Sequence, residues 1–315
     1  MRESKPTIYD PNFLPNMIYS GVPSWLNLSV IENDDDLKKI DAAVVGVPWE
    51  GGCTIGGYSS TTEGPKAVRS ASIRYTGFLP DYNLDCFDYL NVADSGDIAT
   101  QNGNYDFTFK SIRERIGKLA DAKIIPITIG GDHGIAYPII SEIAKRYPKK
   151  VGVLHFDAHL DNYSHFGDDE LSRCSPFYRV YNDPNMDPTK IAHIGIRGPR
   201  NHREEYNNAV KYGATVIRAI DVHEDGWKAS ISKALEVVSK DTEYIYITVC
   251  ADSLDAANMP QAPQDMGGLT SYELLMMLHE AGLAGAKGID FVETIRKCSP
   301  CRRRPMWLTG HSCTI

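Results

Sequence analysis

The chain has 315 residues, 42% of them hydrophobic, and a formal net charge of −8. That size supports one large buried core, and the acidic balance leaves no basic footprint for nucleic acid or an anionic membrane. No run approaches the roughly 20 apolar residues of a membrane span, and seven cysteines are too few and too irregular for a disulfide scaffold, so a cytoplasmic protein is expected.

In chain order, residues 1–40 are rich in Pro, Asn and Tyr and carry the acidic run Glu32 to Asp36, which predicts an irregular arm of the kind that wraps a neighbouring subunit. The first core strand is Ala42 to Pro48, followed by a glycine-rich loop, Gly51 to Gly57. That loop lacks the G-K-[ST] ending of a P-loop and the spacing of a dinucleotide fingerprint, so nucleotide binding is not expected. Pro65 to Arg74 predicts a helix with Pro in its first turn. Further strands are predicted at Tyr89–Ala93, Ile124–Ile129, Val151–Phe156, Ile191–Ile196, Thr215–Ile220, Tyr244–Val249 and Gly288–Val292. Between them lie helical patterns such as Phe107–Asp121, Ile135–Arg146, Trp227–Ser239 and Ser271–Ala281, the last opening on a Ser/Thr cap after Gly268. Strand alternating with helix implies crossover connections, hence a mainly parallel sheet with helices on both faces.

The chemistry concentrates at strand ends. Val151 to Asp161 reads V-G-V-L-H-F-D-A-H-L-D, an apolar run that stops in carboxylates and imidazoles. Side chains two apart on a strand share a side, so Asp157, His159 and Asp161 are expected to converge. Carboxylates with imidazole suit a divalent first-row metal, and open α/β sheets build sites at the carboxyl ends of their strands. Three more stretches fit the same place: Ile129-Gly-Gly-Asp-His133, Tyr244 to Asp252 with Cys250 and Asp252 at its end, and Gly288 to Glu293. Each alone also reads as a cap, a core thiol or a solvated strand end; together they describe a cleft along one edge of a sheet.

From about Ala42 to Glu293 the chain resembles the ureohydrolase family of arginases, agmatinases and guanidino-acid hydrolases. The resemblance rests on G-G-D-H at Gly130–His133, D-A-H-L-D at Asp157–Asp161, I-G-I-R-G at Ile194–Gly198, G-G-L-T at Gly267–Thr270 and G-P-K-A-V-R at Gly64–Arg69. It implies a three-layer α/β/α domain over 41–294 on an eight-stranded, mainly parallel sheet, assembled as trimers or hexamers. It also implies two divalent metals, Mn or in some branches Ni, that activate water against a guanidinium carbon. The ligands so implied are His133, Asp157, His159, Asp161 and Asp252, with Glu293 as the guanidinium-binding carboxylate and Asp161 and Glu293 as the catalytic carboxylates.

The sequence departs from that family at the chemistry. Cys250 stands where the family has an Asp bridging both metals, offering one soft sulfur in place of two hard oxygens, which puts the metal pair in doubt. Arg173, in Ser172-Arg-Cys-Ser-Pro-Phe177, stands where the family has a His that moves protons; it stays charged, cannot serve as a relay, and is expected to repel a nearby metal pair. The tail, 295–315, has no helical period, and Cys298, Cys301, His311 and Cys313 fit no standard zinc spacing, so they read as free thiols beside the basic run Arg302–Arg304. These departures imply an impaired subunit kept in a hetero-oligomer with an intact paralogue. The precedent is the metformin hydrolase kind, which pairs two unlike subunits, acts on guanidine or biguanide C–N bonds, and has lost site residues in one subunit. The alternative is a self-sufficient agmatinase-like or guanidino-compound hydrolase with one metal or a Cys-bridged pair.

Overall fold

A computed structural model describes residues 5–12, 21–31, 33–51, 61–260 and 265–294. The glycine-rich loop beyond Gly51, and the tail with Cys298, Cys301, His311, Cys313 and the three arginines, lie outside the described residues.

The strands are β1 (Ala42–Val47), β2 (Phe78–Leu79), β3 (Leu84–Asp85), β4 (Val92–Asp97), β5 (Ile125–Gly130), β6 (Val151–Phe156), β7 (Ile191–Ile196), β8 (Thr215–Arg218), β9 (Tyr244–Cys250) and β10 (Ala286–Val292). Strands β2 and β3 form a small antiparallel hairpin, while the other eight make one parallel sheet in the order β4-β1-β5-β10-β9-β6-β7-β8. The eight expected strands are therefore all present. Strand β4 starts later than predicted because the Tyr89 N–H closes a turn onto Cys86 O, and β8 stops at Arg218 because Asp221 accepts the Arg218 N–H and caps a helix there.

The helices are α1 (Gly64–Ser72), α2 (Tyr105–Asp121), α3 (Ala136–Ala144), α4 (Pro176–Tyr181), α5 (Arg203–Tyr212), α6 (Ala219–Asp225), α7 (Trp227–Val238) and α8 (Ser271–Leu283). Because successive strand side chains face opposite ways, each inner strand feeds two cores. In β1, Ala43, Val45 and Val47 pack under α2 and α3, while Ala42 and Val44 face the α1 side. In β9, Tyr244, Tyr246 and Cys250 share the α2, α3 and α4 layer, whereas Ile245, Ile247 and Val249 face α7 and α8. These are the three layers the alternation of strand and helix implied. Thr270 accepts the Glu273 N–H and opens α8, the cap read from the sequence.

The described part of the N-terminal arm lies on this chain's own sheet edge. Leu26 and Leu28 are buried with Ala42, Val44 and Val92, and the Ile31 N–H donates to Asp94 O. Asp94 also receives Arg69 through Nε and Nη2 at 2.7 and 2.9 Å and the Trp25 N–H at 2.8 Å, fastening arm, α1 and β4 together. Among the described residues no helix is long and apolar enough to cross a membrane.

The topology decides where chemistry can sit. After β5 the chain crosses by α3 to β6, leaving a gap that β9 and β10 fill only at the end. Four strand ends thus meet side by side, those of β5, β10, β9 and β6, at the switch point where open α/β sheets bind ligands.

Candidate metal centre

Strands β5, β6 and β10 deliver their residues just past their ends, while β9 ends on Cys250 itself, with Asp252 two residues on. Beyond β5, Gly131 runs so close to Trp49 that an added Cβ would lie 1.9 Å from its carbonyl oxygen. Asp132 then accepts the backbone N–H groups of Gly51 and Gly134 and turns the chain. This delivers His133, fully buried, into the switch point.

Strand β6 ends at Phe156, so Asp157, His159 and Asp161 do not converge by strand alternation as expected. They sit on the following loop, where Asp157 accepts the His159 N–H at 2.8 Å and Asp161 takes a left-handed backbone, φ 44°. Glu293, just after β10, is also left-handed, φ 56°. Such backbones in non-glycine residues cost on the order of 1–3 kcal/mol and gather at functional sites. The loop splits the triplet instead of pointing it at one spot. Asp157 and Asp161 address His133, while Asp157 also addresses His159 from its other oxygen.

Two ligand groups result. His133, Asp157 and Cys250 form one and Asp157, His159 and Asp252 the other, with all donor atoms inside each group within 4.8 Å of one another. Asp157 alone belongs to both. His133 Nδ1 lies 2.9 Å from Asp157 Oδ2 and 3.0 Å from Asp161 Oδ2, yet it is buried without a properly directed hydrogen bond. His159 Nδ1 lies 3.1 Å from Asp252 Oδ2. A buried imidazole nitrogen set between two carboxylates without a well-directed hydrogen bond is the surrounding a cation would take, so the residues fit a divalent metal.

The charges point the same way. Burial pushes Asp157 up to about 6, with the neighbouring Asp252 charge adding to it. Burial opposes the charging of His133, but Asp157 and Asp161 outweigh it and hold the imidazole well above its ordinary value. Burial is likewise overcome at His159, pushed up to about 11 by Asp252, Asp265 and Asp157. Cys250 is raised well above the ordinary thiol value, first by burial and then by the charges of Asp157, Asp252, Glu293 and Asp161. Its S–H donates to Asp252.

Outer partners that the sequence did not single out hold these ligands. His133 Nε2 pairs with Thr248 Oγ1 at 3.1 Å, and the Thr248 hydroxyl donates to Asp290, which also receives the Tyr246 hydroxyl. His159 Nε2 pairs with Asp265 at 2.7 Å, and His155 Nε2 with Asp157 at 2.9 Å. Arg197, inside the I-G-I-R-G motif, donates to the carbonyls of Asp252, Ser253, Leu254 and Asp265, clamping the loops that carry Asp252 and Asp265. Carboxylate partners of metal-type histidines orient the ring and fix its tautomer.

Arg173 does not stand as a free charge against this cluster. Its Nη1 lies 3.3 Å from Glu293 Oε2, so its guanidinium is paired with a buried carboxyl group. Glu293 Oε1 accepts the His133 N–H at 3.1 Å. Burial pushes Glu293 up to about 8, against the pull of Arg173.

A parallel α/β/α sandwich whose central strand ends carry two carboxylate–imidazole groups defines the class of metal-dependent hydrolases with an arginase fold. The Arginase family model matches residues 40–298. The mitochondrial guanidino acid hydrolase of Homo sapiens is 31% identical over 286 residues, covering 90% of this chain and 78% of that protein. An agmatinase of Chromobacterium violaceum is 30% identical over 277 residues, 87% of this chain and 81% of that one. The solved proclavaminate amidino hydrolase of Streptomyces clavuligerus superposes with a TM-score of 0.77 at 26% identity, over 88% and 90% of the two chains. This chain belongs to the arginase family.

Proposed function

We propose that the chain is a subunit of a metal-dependent amidinohydrolase of guanidine or biguanide compounds, in the manner of metformin hydrolase. In this reading it is the catalytically impaired partner of an intact paralogous subunit in a trimeric or hexameric cytoplasmic assembly. The observation that carries it is the sharing of ligands between the two groups. Asp157 is common to both, whereas Cys250 groups with His133 and brings a single soft sulfur. The family's metal pair is bridged by two carboxylates, and with Cys250 in place of one of them Asp157 is the carboxylate left to bridge, which we read as one well-held ion, Ni or Mn. The relatives' names, agmatinase and guanidino acid hydrolase, support a guanidino substrate class. Among the described residues Cys86 and Cys250 are free thiols, in keeping with a reducing compartment.

A divalent ion here would supply Lewis acidity and activated water. The chain's residues do the rest. His133, Asp157, Asp161, His159 and Asp252 would hold the ion, Thr248–Asp290 and Asp265 fix the two imidazoles, and Glu293, the family's guanidinium-binding carboxylate, is engaged by Arg173. Arg173, permanently charged, moves no proton.

The test is urea or dimethylurea release from agmatine, guanidine, guanidinobutyrate and metformin, with the chain alone and mixed with a paralogue carrying Asp and His at the positions of Cys250 and Arg173. Trace activity alone and turnover on mixing are expected; robust turnover by the isolated chain overturns the reading. In that case the second reading holds, a self-sufficient hydrolase with one ion or a thiolate-bridged pair, favoured by the five remaining ligands all being in place.

A further inference from the structure

We infer that Arg173 is a built-in guanidinium: it occupies, on Glu293, the place where a guanidine-type ligand would pair with this subunit, and so keeps the site closed to such ligands. The inference deepens the amidinohydrolase reading and rests on it for the class of ligand.

A guanidinium entering beside the ligand groups needs a carboxylate oxygen not already committed. Asp157, Asp161 and Asp252 face the two imidazoles. Asp132 accepts a backbone N–H on each oxygen. On Glu293, Oε1 holds the His133 N–H, and Oε2 faces Arg173 Nη1 at 3.3 Å. Glu293 is the carboxylate that the family resemblance assigns to a guanidinium, and here its Oε2 already faces the guanidinium of Arg173. The chemistry of the pair is the chemistry the site would offer a ligand, since guanidinium and carboxylate match in shape and charge.

The position of Arg173 is fixed from both sides. Ser172 and Ser175 are fully buried, the Ser175 N–H donates to Ser172 O at 2.8 Å, and the Cys174 N–H donates to Ser172 Oγ at 3.2 Å. This tight turn, just before α4, sets Arg173 between Glu293 and Asp132. Its side chain keeps 15% of its surface exposed, so it touches solvent as well as the buried Glu293 carboxyl group. An internal competitor tethered by a rigid turn acts at a high effective concentration, which free ligand must overcome.

The experiment uses the full-length chain as purified, titrated with low-millimolar guanidinium chloride or agmatine against matched sodium chloride, reading heat of binding and thermal midpoint. The wild type is expected to show no saturable binding and no midpoint shift relative to sodium chloride. Arg173→Ala is expected to have a lower midpoint that guanidinium raises saturably, with affinity about tenfold or more above wild type. Arg173→Ala combined with Glu293→Gln should lose that response. Arg173→Gln, which keeps length and donors without charge, serves if the alanine variant does not fold. Equal affinity in wild type and variant, or a folded variant that guanidinium does not stabilise, overturns the inference. Binding in the variant with no hydrolysis in any mixture leaves Arg173 as described and removes the amidinohydrolase reading. Partner-dependent hydrolysis with no guanidinium response in the variant removes the Arg173 inference alone.

Discussion

Replacing Cys250 by aspartate places a new carboxylate among Asp157, Asp161, Asp252 and Glu293, whose charges, after burial itself, already hold the Cys250 thiol un-ionised. Two like charges about 5 Å apart repel by roughly 3 kcal/mol at an effective dielectric near 20. Partial protonation relieves some of this, and burying an uncompensated carboxylate adds a penalty of several kcal/mol. Without metal, Cys250→Asp is therefore expected to lose about 3–5 kcal/mol of stability, lowering the thermal midpoint by about 5–10 °C. With metal the sign reverses, because two oxygens then face both ligand groups. Manganese at about a hundred times its dissociation constant returns about 2.7 kcal/mol per ion, so the variant should recover most of its loss and gain a second ion that the wild type lacks. Thermal unfolding with and without Mn or Ni, paired with metal analysis after dialysis, reads both halves. A variant as stable as wild type in chelator, gaining no more from metal than wild type does, refutes the placement of Cys250 at the junction of the two groups.

Adding Arg173→His to Cys250→Asp should release Glu293 and supply a titratable group, giving weak hydrolysis where either change alone gives less, since bridge and relay act as a unit. A double variant that binds two ions but stays inert on every guanidine tried would show that the substrate loops have diverged as well. Glu205 offers a test away from the ligands: burial pushes its pKa from the ordinary 4.5 up to about 7, so between those values the folded chain keeps a proton the unfolded chain releases. Stability then falls as pH rises through that window, and Glu205→Gln should remove that slope, improving on wild type at pH 8 relative to acid by up to about 3 kcal/mol. Denaturant midpoints across that range measure it, and parallel pH profiles for the two proteins would refute it.

The eight strands were legible because parallel strands covered on both faces must be apolar throughout, as in Val151–Phe156 and Tyr244–Val249. The ligands were legible because carboxylates and imidazoles interrupt those runs abruptly. What the sequence hid depends on long-range closure. Asp265 lies 106 residues from His159, the ring it orients, and sits in no apolar run that would flag it. Arg173 and Glu293 are 120 residues apart, so nothing in the sequence hints that this arginine is paired with a buried carboxyl group. The left-handed backbones at Asp161 and Glu293 leave no mark on residue type, which is why strand alternation gave the wrong geometry for residues that the fold nevertheless brings together. Helices α4 and α6 are short and α5 is polar on much of its surface, so their periodicity is weak next to that of α3 or α7.

The account turns on how many ions one chain holds. Metal content per chain, measured after loading with Mn or Ni and dialysis against metal-free buffer, should be no more than one equivalent, because Asp157 is the carboxylate common to both ligand groups and Cys250 brings only a single sulfur. Two tightly held equivalents per wild-type chain would show that the thiol of Cys250 bridges after all, and would contradict the impaired-subunit reading.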